Sequence, residues 1–231
     1  LVGNVYTSAP TPVIGDNSTK IATTAFVAKS VARHLSAATT IYVSNKGTGD
    51  GSTAAKAMSI ADLRTYLSLT HMHSSSADLN GSYRLTILFV PTGTSYGTVT
   101  LDANKMPGIR FITISTSTGT ASTTSNYSAN SPLFGSLSIR GDGLDVTASN
   151  IEVDGTVSAS YGGKLTVSGY IGAGKFLASC RGRIDIGNGT LNIHNKGTDV
   201  LFHSSEYGQL IINTATAVVN FREQVWLNNR L

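Results

Sequence analysis

Charge is scarce in this sequence. Asp, Glu, Lys and Arg make up 13% of its 231 residues, well under the usual quarter. Helix bundles draw on Glu, Lys, Ala and Leu, so the composition counts against them. The net charge is +4. The cations are scattered, with no Lys/Arg cluster and no RNA-reading aromatic motif, so no nucleic-acid partner is expected. There is one cysteine, Cys180. It cannot close an internal disulfide, which fits folding in a reducing cytosol. It also lacks the neighbouring histidine that would mark a nucleophile. No apolar run reaches about 18 residues, so no membrane insertion is expected. No signal-peptide pattern is seen, and a start at Leu1 rather than Met reads as part of a longer chain.

What the chain has instead is glycine, 24 residues of it, with serine and threonine throughout. Hydrophobic residues make up 40%. That is too apolar for disorder, and it suits short strands joined by short turns.

Residues 1–20 carry Pro10 and Pro12 among small polar residues and read as an extended linker. "GDNST" supplies turn and helix-capping side chains. Residues 21–37 follow as a predicted helix, in which Ile21, Ala25, Ala28, Ala32 and Leu35 recur at spacings of 4, 3, 4 and 3. This is a heptad-like seam of mostly small residues. A helix so short is marginal alone. It must pack either on its own domain or against copies of itself from other chains.

The stretch "GDNSTKIATTAFVAKSV" resembles a segment that recurs in tail fibres and tailspikes of tailed bacteriophages and prophages. Asp16, Asn17, Thr23, Thr24, Ala25, Phe26 and Val27 carry the likeness, which covers about residues 12 to 35. In that family the segment lies N-terminal to a receptor-binding or enzymatic part. The resemblance implies a homotrimer, with the helix as a trimerising join between fibre shaft and distal domain.

Residues 38–80 are expected to cap a solenoid. Ile41 to Ser44 reads as a strand, and Gly47, Gly49 and Gly51 as a flexible turn. Ser59 with Asp62 forms a weak capping box ahead of a helix whose apolar face is Ile60, Leu63 and Leu67. A strand, a Gly/Asp loop and one amphipathic helix resemble the N-terminal cap of right-handed parallel β-helix proteins, tailspikes among them. Such a cap covers an otherwise open apolar end.

Residues 81–231 carry the repeat. "LTILFV", "FITIS" and "LSIRG" recur near 85, 111 and 137, at intervals of 26. Three later segments align without gaps: "VSASYGGKLTV" at 157, "FLASCRGRIDI" at 176 and "FHSSEYGQLII" at 202. They give columns Ser160/Ser179/Ser205, Gly163/Gly182/Gly208 and Leu165/Ile184/Leu210. Periods of this size mark stacked supersecondary units. With no helix between the runs, the expected fold is mainly β, a right-handed parallel β-helix, trimeric by the resemblance. The glycines should sit where each rung turns too tightly for a Cβ. The apolar column should face in, with Thr166, Asp185 and Ile211 facing out.

Candidate chemistry is sparse. Glu152 and Asp154 flank Val153 and should both point outward, with Asp142, Asp145 and Asp185 nearby. Paired carboxylates can share acid and base or nucleophile roles in glycan cleavage, but two acids two residues apart are also an ordinary solvated face. Glu152, Asp154 and Asp185 are the catalytic candidates. Tyr161, Glu206 and Tyr207 share one turn line that could form a shallow glycan groove; packing is the alternative for these rings, and for Tyr170 and Trp226. "HMH" at His71 to His73 has no third ligand close in sequence. "GTGDG" around Asp50 lacks the lysine of a phosphate loop and the acids of a calcium loop. "RGD" at Arg140 to Asp142 is short enough for chance. No cofactor or metal is expected.

Three readings remain open. One is a virion tail component, made in the host bacterial cytoplasm, that joins other tail or baseplate proteins and attaches to a bacterial surface polysaccharide or receptor. Another is a polysaccharide depolymerase on the same fold. The third is a purely structural fibre connector.

Overall fold

The computed structural model describes residues 33–35, 38–72, 84–106, 109–118, 132–187, 190–193, 202–212 and 218–221. Within them the protein is mainly β, and every paired strand is parallel to its neighbour. Among the described residues β1 (Arg33–Leu35) pairs only with β3 (Thr70–Met72). Two larger sheets carry the rest.

The seven-stranded sheet runs β2 (Thr39–Val43), β4 (Leu85–Phe89), β6 (Phe111–Thr116), β9 (Asp145–Ala148), β11 (Lys164–Val167), β13 (Arg183–Ile186) and β16 (Gln209–Ile212). The eight-stranded sheet has the path β5 (Thr98–Asp102), β8 (Ser136–Arg140), β10 (Ile151–Ser160), β12 (Tyr170–Ala178), β14 (Thr190–Ile193) and β17 (Val218–Phe221). β7 (Leu133–Phe134) joins it beside β10, and β15 (Phe202–Ser204) beside β12. The chain passes back and forth between the two sheets.

Strict alternation along β4, β6, β8, β9, β11 and β13 fills the space between them. Leu85, Ile112, Val146, Leu165, Ile184 and Leu210 form one in-register ladder in the seven-stranded sheet. Val99, Leu137, Val157, Phe176 and Phe202 form another opposite. Their side chains join one hydrophobic cluster. Each rung places like on like, about 4.8 Å apart, and Phe176 stacks on Phe202 with ring centroids 5.8 Å apart.

The eight-stranded sheet breaks register between Val153 and Thr156. A bulge there bends the strand, so β10 pairs with β7 before the break and β8 after it. Glycines line the break. The N–H of Gly155 donates to the Gly135 carbonyl at 2.9 Å, and that of Gly135 to the Gly97 carbonyl at 2.8 Å.

At the N-terminal end the capping box forms. The Asp62 N–H donates to Ser59 Oγ at 3.1 Å, and Ser59 Oγ–H donates back to Asp62 Oδ2 at 2.7 Å. The helix Ile60–Leu69 buries Leu63 and Leu67 in the main cluster, with Ile60 packed against it. Among the described residues, no helix is long and apolar enough to cross a membrane.

Three expectations need correction. The predicted 21–37 helix does not extend through Arg33–Leu35, which is strand β1: the free edge of Thr70–Met72 offers parallel partners. Leu35 is therefore a strand residue, while Ile21, Ala25, Ala28 and Ala32 lie outside the described residues, as does the 1–20 linker. "LSIRG" does not continue the 85/111 column; Leu137 pairs with Val99 and Val157 on the other sheet. A constant interval had concealed a change of face. Lastly, the turn at Gly47 is packed tightly. A Cβ there would lie 2.5 Å from the Ala57 carbonyl oxygen, and the Gly49 N–H donates to that oxygen at 3.0 Å.

Candidate functional site

The three gap-free segments reach the same corner between sheets. The N–H groups of Gly163, Gly182 and Gly208 donate to the carbonyls of Ser160, Ser179 and Ser205 at 3.0, 2.8 and 2.8 Å. Both residues inside each turn have positive φ: Tyr161 and Gly162 at 53° and 81°, Cys180 and Arg181 at 47° and 63°, Glu206 and Tyr207 at 51° and 63°. This is the type I′ pattern. Left-handed backbone at five non-glycine residues costs on the order of 1 kcal/mol each. Stacking offsets it: the Gly162 N–H donates to the Cys180 carbonyl at 3.2 Å, and the Arg181 N–H to the Glu206 carbonyl at 3.0 Å. Gly163, Gly182 and Gly208 follow the turn, where a Cβ would strike the carbonyl of Ile139, Ala159 or Ala178 on the rung before. The expected glycine column is thus required by close approach, not by φ.

These corners project a row of side chains. Tyr161, Cys180 and Glu206 take the first position on successive rungs; Gly162, Arg181 and Tyr207 take the second. Tyr161 is 52% exposed and Tyr207 90%, so neither ring is core. Tyr170 is core, and Trp226 lies outside the described residues. The Cys180 thiol donates to Glu206 Oε2 at 2.6 Å. That hydrogen bond first, then desolvation, pushes the thiol above its usual pKa.

The catalytic candidates are not brought together. Glu152 is buried, not outward-facing into solvent as expected. The Tyr170 hydroxyl donates to its Oε1, and its carboxyl fills the space over Gly172, its register partner on the next rung. A side chain on the outer side of a strand is buried when its neighbours cover it. Asp154 is exposed on the same strand. Asp185 sits on the other sheet, ion-paired to Arg183 at 2.8 Å. Asp145 pairs with Lys164 at 3.0 Å, and Asp142 with Arg181 at 3.3 Å. Among the described residues no group of three or more His, Cys, Asp or Glu side chains could hold a metal. His71 lies in β3 and His73 outside the described residues. Asp50 accepts from the N–H and Oγ–H of Ser52 at 3.0 and 2.7 Å, which holds its carboxyl below the usual range.

Sequence reasoning missed the arginines. A groove of about 450 Å³ beside the corner row is lined by Asp102, Arg110, Arg140, Asp142, Tyr161 and Arg181, among others. The Arg140 guanidinium lies over the Tyr161 ring, 4.7 Å from its centroid, a cation–π contact that presets both groups. These residues are far apart in sequence, and "RGD" at 140 to 142 was their one local sign. No family model, curated protein or solved structure matches this chain.

Proposed function

We propose that this chain is a segment of a bacteriophage tail fibre or tailspike that attaches the virion to the bacterial surface by recognising a surface polysaccharide or receptor. In this reading the parallel stack is a right-handed β-helix, the hand expected of parallel crossovers. Its helix Ile60–Leu69 caps one end, and three chains associate through the segment that precedes β1. The observation that carries the reading is the parallel ladder with an exposed, repeated corner row, joined in sequence to the tail-fibre-like stretch "GDNSTKIATTAFVAKSV". A rod of this kind displays weak sites rigidly. Three such sites on one particle hold a cell far longer than one does.

Two measurements test this together: mass by light scattering, and retention of the fluorescently labelled chain on a panel of bacteria before and after their surface polysaccharide is stripped. A three-chain particle that binds intact cells and leaves stripped ones is the expected result. A single-chain particle that binds no strain would overturn it.

A further inference from the structure

The cations that look scattered in sequence gather on one flank. The corner groove brings Arg110, Arg140 and Arg181 together. A second groove, of about 620 Å³, brings Arg64 and Lys105 beside the apolar side chains Leu67 and Met106. Asp102 lines both grooves, so they are contiguous. Five cationic groups therefore face two carboxylates, Asp102 and Asp142, in a chain whose whole net charge is +4. All five cationic residues are exposed. Among the described residues, Arg181 alone of the five forms an ion pair, with Asp142 at 3.3 Å in an open setting.

From Asp102 on β5 to Arg181 beyond β12 the flank crosses three rung spacings, about 14 Å. That is a path for an extended strand, not a pocket for a small molecule. We propose that this flank binds an acidic polysaccharide, one carrying carboxylates at intervals along its sugars. The proposal rests on the surface-attachment reading above and names its ligand class.

The chemistry favours that ligand over other polyanions. Guanidinium groups pair with carboxylates through two parallel N–H···O bonds. Asp102 and Asp142 can accept from sugar hydroxyls, which carry no charge to repel them. A DNA strand has almost no free hydroxyl along its length, so Asp102 and Asp142 would face its phosphates with nothing to accept from. Tyr161, with Arg140 over its ring, is 52% exposed and offers apolar surface to a pyranose.

The test is a set of binding titrations on the full chain. The probes are labelled hyaluronan and polygalacturonate oligomers, the same oligomers after carboxyl reduction, neutral dextran, and a thymidine 20-mer. Hyaluronan or polygalacturonate is expected to bind with strong salt dependence, and carboxyl reduction to abolish the binding. R140Q combined with R181Q is expected to weaken it about tenfold or more. K56Q, which removes a charge outside both grooves, should change it less than about twofold. Equal binding of the reduced oligomers, an unaffected double variant, tighter binding of the thymidine strand, or no binding of either acidic glycan would each overturn the proposal. Cell binding by R140Q/R181Q separates the two readings. If that variant still adheres to cells as the native chain does, attachment stands and this flank is not its ligand site. If the native chain adheres to no cell, the attachment reading falls by itself.

Discussion

The two ends of the stack hold their register by different means. From β10 to β16, every passage from the eight-stranded sheet to the seven-stranded one uses the same two-residue left-handed corner followed by glycine. Corner stacks on corner, backbone to backbone. From β2 to β8 no such corner repeats among the described residues, and the connections differ in length. There an aromatic cluster takes over. Phe134 and Tyr96 pack on Phe89 with centroids 4.8 and 5.0 Å away. The Tyr96 hydroxyl donates to the carbonyls of Val43 and Val90 at 3.1 and 2.5 Å, and its N–H to the Leu133 carbonyl at 2.8 Å. One residue thus ties β2, the end of β4 and β7 together, and burial pushes its phenol pKa up to about 12. A regular backbone can set register with little side-chain information, whereas an irregular one needs specific packing.

The comparison can be broken from either side. Phe134→Ala removes a fully buried ring from the cluster and is expected to cost about 3–5 kcal/mol, read as a lower urea midpoint. Hydrogen exchange should rise first in β2, β4 and β7, with β11 and β13 protected; equal loss in both regions would mean that the two are not separately held. Gly182→Ala acts on the regular end, where its Cβ would meet the Ala159 carbonyl. It should cost about 1–3 kcal/mol as overpacking, with exchange rising first in β13 and β16.

Smaller effects sharpen the account of the corners. Tyr207→Gly should raise stability by about 1 kcal/mol, because φ of 63° suits glycine and not tyrosine. No gain in the thermal midpoint would show that the corner is not strained. Glu206→Ala should leave the fold intact but lower the apparent pKa of the Cys180 thiol, since the Glu206 hydrogen bond is the main cause of its rise. Iodoacetamide labelling against pH reads this directly, and an unmoved profile would remove Glu206 as the cause. The sign for stability follows: a raised thiol pKa favours the fold below the unfolded value. That contribution is lost as pH rises through the folded value.

Much of the regular end was legible in sequence. The columns Val157/Phe176/Phe202 and Leu165/Ile184/Leu210 pair in register because nothing interrupts a fixed corner. The glycine column was legible too, since close backbone approach tolerates no other residue. The irregular end was not, because a run such as "LSIRG" looks the same on either face. Left-handed turns at Cys180 and Arg181 left no mark in residue type, since stacking rather than glycine holds them.

The sequence by itself determined the class of the fold: strands over helices, an alternating apolar face on strands such as β4, β6, β11 and β13, a capped helix over 60–69. These follow from local periodicity and side-chain chemistry. Only the tertiary structure decided which rows share a sheet, that Glu152 is buried, and that Arg64, Lys105, Arg110, Arg140 and Arg181 share a flank. Those depend on how many residues each connection inserts between rungs. Stacking turns distance along the chain into distance across a surface, and composition carries no trace of that conversion.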